Sequence, residues 1–253
     1  MHRSLGRTLA LPLAPVLLWQ GRRVRRDTPV LPEAVGERDG VAGAGRAGRP
    51  LRLLIVGDSS AAGVGASAQQ EALAGQLVAR LEAAHPRPVR WMLVARSGVT
   101  TAEAIALLDE APAAPFDVAV VALGVNDVTA LRPASRWLRD VGRLVERLRE
   151  RHRVRRVLWS GLPPMHRFPA LPQPLRGVIG LHARGLDAAL ARWCAARAAG
   201  AAPACEHVPM PALVGPPSEA ARLVASDGFH PGPGAYAVWA EALAPRVIGG
   251  RRR

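Results

Sequence analysis

Apolar residues along the chain fall into two alternating patterns. Short unbroken runs, closed by glycine or a polar residue, predict strands buried on both faces: Leu53–Val56, Val89–Val94, Phe116–Leu123 and the apolar part of Arg153–Ser160. Pro203–Pro209 supplies a shorter fifth. Between these runs the spacing changes to helical. Ser67-Ala-Gln-Gln70 has capping-box spacing and opens a helix with Leu73, Leu77 and Leu81 on one face. Thr100 and Thr101 with Glu103 cap a short helix through Leu108. Pro133 suits a first helical turn, and Trp137, Val141, Leu144, Val145 and Leu148 form the stripe behind it. A long helix follows over Leu175–Ala199, then an irregular or partly helical stretch over Pro211–Ala225. A last helix turns Tyr236, Val238, Trp239 and Leu243 inward. Such alternation predicts an α/β domain, with a mainly parallel sheet of five strands covered by helices on both faces.

The expected division is an amino-terminal arm and linker, residues 1–50, and one domain, residues 51–253. Within the arm, Leu9–Trp19 is apolar and is followed by Arg22, Arg23, Arg25 and Arg26. No small-x-small cleavage site follows, and eleven residues containing Pro12 and Pro15 cannot span a bilayer, which needs about 20. Two readings stand: an arm packed on the domain, or a peripheral membrane anchor within residues 1–26 with Trp19 and the arginines at the headgroups, the one we favour. A cytoplasmic, a peripherally membrane-associated and a secreted protein all stay open. Thr28–Pro50, rich in Gly, Pro and Ala, reads as a loose linker.

Charge adds little to this picture. The formal charge is +14 and every one of the 34 basic residues is arginine, but they are scattered over helix faces and only 4% of residues are aromatic. Without a nucleic-acid motif, this describes a solvated surface and no nucleic-acid partner. Cys194 and Cys205 offer neither a zinc site nor a disulfide framework, and two buried free thiols are expected.

The polar motifs carry the chemistry. Gly57-Asp58-Ser59-Ser60 ends the first strand, Gly98 follows the second, and Gly124-Val-Asn126-Asp127 the third, while Asp227-Gly-Phe-His230 precedes the last helix. Open α/β sheets bind ligands at strand carboxyl ends. Nucleophilic acyl transfer needs a hydroxyl, a base, a carboxylate to steer that base and donors for the oxyanion. Ser59, His230 and Asp227 supply the first three; the amides of Ser59 and Gly98 and the side chain of Asn126 can supply the donors. Each has a plainer alternative as a cap or turn residue. Asp127 is expected to cap a helix, and His166, His182 and His207 have no partner pattern.

These four blocks, in this order, resemble those of the SGNH/GDSL esterase and lipase family over roughly residues 51–247. The resemblance implies a flavodoxin-like three-layer α/β/α sandwich and Ser-His-Asp hydrolysis of carboxylic esters, small-molecule or lipid, without metal or cofactor. It implies Ser59 as nucleophile, His230 as base, Asp227 as its orienter, and Ser59, Gly98 and Asn126 as the oxyanion hole. Ser60 departs from the family's Leu, which bears on substrate preference. An acyltransferase or thioesterase would use the same residues. A metal-dependent phosphoesterase is disfavoured because the first strand has no Asp-x-His. Gly-x-Ser-x-Gly and P-loop motifs are missing. A non-enzymatic basic membrane- or nucleic-acid-binding protein is the remaining alternative.

Overall fold

The computed structural model describes residues 5–197, 203–211 and 223–249. Among the described residues, six strands form one sheet in the order β1-β3-β2-β4-β5-β6. Strands β2 (Leu51–Gly57), β3 (Val89–Ala95), β4 (Val118–Ala122), β5 (Arg156–Ser160) and β6 (Ala204–Val208) are parallel to their neighbours, and only β1 (Asp39–Ala42) runs antiparallel, along β3.

Alternation along the strands divides the core between two faces. Leu54 and Val56 of β2 with Ala119 and Val121 of β4 join a cluster roofed by α4 (Glu103–Glu110), α6 (Ala134–His152) and α7 (Leu175–Arg197). Leu53 and Ile55 with Val118 and Val120 point the other way, into Leu73, Leu77 and Leu81 of α3 (Leu73–Ala84) and Tyr236, Trp239 and Leu243 of α8 (Pro233–Gly249). Because successive side chains leave a strand on opposite sides, a run with no polar residue can be buried only between two helical layers. The three-layer sandwich follows from that.

The sequence expectations need correction in three places. The sheet has six strands, not five, because Asp39–Ala42 of the expected loose linker pairs with Val89–Met92. It covers the outer edge of β3, and Leu93 N donates to Arg38 O while Arg38 donates to Ala95 O. A short edge strand with one half-buried face leaves almost no periodic signature. The helix after Ser67 starts only at Leu73, since Ser67 closes its box on Glu71 and the buried Gln69 side chain braces Ala34 O and Ala62 O. Val238 of α8 faces outward, whereas Tyr236, Trp239 and Leu243 are buried. In the amino-terminal segment the chain is helical over Leu5–Asp27 (α1), through both prolines. Thr100 does form the expected box with Glu103, whose carboxylate accepts both its N–H and its Oγ–H. Cys194 and Cys205 are free buried thiols, and burial pushes them up to about 12 and about 11. Most of Pro211–Ala225 lies outside the described residues.

Candidate active site

The carboxyl ends of β2, β3 and β4 meet at one rim, with β2 central. At the tip of β2 the chain turns through Asp58 into the short helix α2 (Ser59–Ala62). Asp58 caps it, its Oδ1 accepting the Ser60 N–H at 3.0 Å. Ser59 is thereby the first residue of a helix at the end of a central strand.

His230 reaches it from the other end of the chain. The loop before α8 is closed by hydrogen bonds from Ala225 N to His230 O and from Gly232 N to Leu223 O. Within it, Asp227 Oδ1 accepts the Phe229 and His230 amides at 2.9 and 3.0 Å. Its other oxygen lies 2.5 Å from His230 Nδ1, and His230 Nε2 lies 2.8 Å from Ser59 Oγ. An ionised carboxylate can only accept, so Nδ1 carries the proton and Nε2 is free to accept the Ser59 hydroxyl. Burial alone would raise the Asp227 carboxyl; the imidazole and two amides outweigh it and hold the group below the ordinary aspartate range.

Two contacts hold the loops together. The Tyr236 hydroxyl, fully buried, donates to Val64 O at 2.6 Å. Gly65 has φ +96°, and a Cβ there would lie 2.2 Å from Pro231 O, so the serine loop lies against the backbone next to His230.

Gly98 and Asn126 are also brought together. Gly98 turns with φ +83° after β3, with open space where a Cβ would be, so its backbone conformation rather than crowding favours glycine. Asn126, on α5 (Val125–Thr129), donates from Nδ2 to Val99 O at 2.9 Å, which leaves one amide hydrogen for a ligand.

Asp127 does not cap the next helix as expected: it lies within α5, and the helix that follows starts behind Pro133 with no side-chain cap. The buried Asp127 Oδ2 accepts the Thr101 N–H at 2.9 Å and the Thr101 hydroxyl at 2.7 Å, and Trp137 Nε1 donates to that hydroxyl at 2.9 Å. This carboxylate locks the Asn126 helix onto the Gly98 loop. Burial raises its pKa. His207, expected to be unpartnered, bonds Asp187 Oδ1 at 2.8 Å, and the same oxygen accepts the Leu162 N–H at 2.9 Å. The pair fastens the loop after β5 to α7. Only the adjacency of Asn126 and Asp127 hinted at the first network, and no local signal marks the second. His166 and His182 stay outside the site, and burial lowers both.

Beside Ser60 and His230 opens a cavity of about 310 Å³, walled mainly by Leu123, Leu162, Pro163, Phe168, Met210 and Phe229. The Pro-rich loop after β5 thus borders the site. Its lining is largely apolar, which suits a hydrocarbon chain. Among the described residues no three of His, Cys, Asp and Glu form a metal-binding cluster.

Asp58 is the electrostatic oddity. Its side chain is buried, Oδ2 has no partner among the described residues, and burial, with Asp127 nearby, pushes its pKa up to about 7.

The chain matches the GDSL-like lipase/acylhydrolase family over residues 55–238. It is 34% identical over 201 residues to the GDSL-like esterase Rv1075c of Mycobacterium tuberculosis; the match takes in 76% of this chain and 60% of that protein's length. Among solved structures it resembles a lipase from a goat rumen metagenome, with 20% identity, a TM-score of 0.60, and coverage of 79% of this chain and 99% of the other. It also resembles the lipase/acylhydrolase of Enterococcus faecalis, with 17% identity, a TM-score of 0.53, and coverage of 78% and 95%. At such identities the structural likeness concerns the fold.

Two outcomes follow from the site's packing and charge. Gly65→Ala forces Pro231 away from the serine loop; overpacking of this kind costs about 1–3 kcal/mol, and urea unfolding together with any Ser59-dependent activity should both show the loss. For Asp58, the folded pKa near 7 lies above the ordinary aspartate value of 3.8. Folding therefore retains a proton that the unfolded chain gives up, and this contribution is full below about pH 4 and is lost as pH rises through 7. Asp58→Asn keeps the cap and removes the titration. Unfolding measured from pH 4 to 8 should show the variant gaining on the parent with rising pH, and a constant difference would contradict the assignment.

Proposed function

The chain belongs to the GDSL-like lipase/acylhydrolase family, and from that footing we propose that it hydrolyses carboxylic esters through an acyl-enzyme on Ser59. The observation that carries this is the unbroken relay from Asp227 Oδ2 to His230 Nδ1 at 2.5 Å and from His230 Nε2 to Ser59 Oγ at 2.8 Å. As Ser59 Oγ attacks the ester carbonyl, its proton passes to Nε2. Asp227 stabilises the imidazolium that forms and keeps the ring in one tautomer. The tetrahedral oxyanion sits among the Ser59 and Gly98 N–H groups and the free amide hydrogen of Asn126. Its collapse breaks the ester bond, and the alkoxide leaves with the proton from Nε2. Water, deprotonated by the same nitrogen, then attacks the acyl-Ser59 carbonyl, and the acid is released as the proton returns to Ser59.

The acyl group occupies the apolar cavity beside Ser60 and His230. The substrate class is accordingly a small-molecule or lipid ester. Acyl transfer or thioester hydrolysis would run through the same acyl-enzyme and differ only in the acceptor or the leaving group.

A fluorophosphonate probe should label Ser59, and Ser59→Ala should abolish both labelling and hydrolysis of a short-chain aryl ester. Activity that survives this change removes Ser59 from the mechanism. Asn126→Ala should lower kcat by about a hundredfold or more, the usual loss of one oxyanion donor, and an unchanged kcat would take Asn126 out of that role.

A further inference from the structure

Helix α1 is only half accounted for by the fold. One face is docked: Leu17 and Val24 pack on the core cluster, and Gln20, 7% exposed, donates from Nε2 to Gln173 O at 2.7 Å and accepts the Leu175 N–H at 3.1 Å. These contacts lie at one end of the loop whose other end, Gly161–Pro169, lines the cavity. Leu18 and Trp19 project from the opposite side and are 62% and 58% exposed. One turn further on, the same outward side carries Arg22, Arg25 and Arg26, with Arg23 at its border, all exposed. The Arg23 guanidinium lies 5.4 Å from the centre of the Trp19 ring. Against these four arginines stands one acid, Asp27, which pairs with Arg23 and Arg26. The outward face therefore changes along the helix axis from apolar to cationic, with tryptophan at the boundary.

We propose that this face of α1 is a docking surface for an anionic lipid bilayer. Leu18 would enter the acyl boundary, Trp19 would lie at the interface, and the arginines would meet the lipid phosphates. Among the described residues no helix is long and apolar enough to cross a membrane, and the proposed docking lays α1 along the surface. A second copy of the chain fits the face poorly, since it would set arginines against arginines. Nucleic acid fits poorly as well, because Leu18 and Trp19 offer bulk without a flanking aromatic platform. The proposal does not depend on the hydrolase reading, although Gln20 ties the docked helix to the loop that borders the cavity.

The full chain should co-sediment with vesicles of mixed phosphatidylglycerol and phosphatidylcholine at low salt, and much less with pure phosphatidylcholine. Raising salt to 1 M, where the Debye length is about 3 Å, should weaken the binding. Leu18→Glu/Trp19→Glu and Arg22→Glu/Arg25→Glu should each lower the bound fraction by about tenfold or more, the scale of one 1.4 kcal/mol step. Both should hydrolyse a soluble short-chain ester like the parent, which separates failure of the docking from failure of the hydrolase reading and shows that the variants fold. Absence of sedimentation with the anionic vesicles, or binding unchanged in both variants, overturns the proposal. So does a solution dimer that Leu18→Glu/Trp19→Glu converts to monomer without any vesicle binding, which assigns the face to a second copy.

Discussion

The site depends on a backbone contact between two loops far apart in the chain. Ser59 and His230 are separated by 171 positions, and their side chains meet only because the loop after Ser59 lies directly against Pro231. The Tyr236 hydroxyl secures that contact from inside the protein by donating to Val64 O. Tyr236 is the one tyrosine of the chain, and its ring stacks beside Trp239 in the core under α8. The position of the imidazole is thus set by core packing, with the polar relay as its last step.

Around this contact, acidic groups serve quite different ends through their surroundings. Asp227 has an imidazole and two amides for its oxygens and stays ionised. Asp127 spends one oxygen on Thr101 and is 3.8 Å from Arg132 through the other. Asp58 uses one oxygen as a cap and has no partner for the second among the described residues, and burial pushes its pKa up to about 7. A buried carboxylate without enough donors is better off neutral. A neutral Asp58 also adds no negative charge beside the Ser59 hydroxyl.

The Gly98–Asn126 side of the site is built by a parallel device. Asn126, the chain's one asparagine, is steered by Val99 O, while Asp127 binds the next turn of the same loop through Thr101. Neighbouring residues on one short helix therefore divide the work, one presenting a donor and the other fixing the helix. On the cavity side, Leu162 touches both networks. Its N–H is held by Asp187, and its side chain occupies the space a Cβ on Gly124 would need, at the start of the Asn126 helix.

Legibility in the sequence tracked the range of the interaction responsible. The strands, the helical stripes and the polar residues just past the strand ends were readable because their signals are local: a period of two or 3.6 residues, a closing glycine, a capping box. Trp137, Val141, Leu144, Val145 and Leu148 are all buried, as their spacing implied. The edge strand Asp39–Ala42 was not readable, since its hydrogen bonds come from β3 and its own residues are short and half-exposed. The Asp187–His207 pair was equally silent, joining a helix to a strand with nothing in either segment to announce it. Nor could spacing alone tell that the arm's Gln20 would grip the start of α7. Composition and periodicity determined the layers and put candidate groups at the rim of the sheet. The tertiary structure alone decided which donor meets which acceptor across that rim, because those pairings depend on how strands order and loops pack, and no single segment contains both partners.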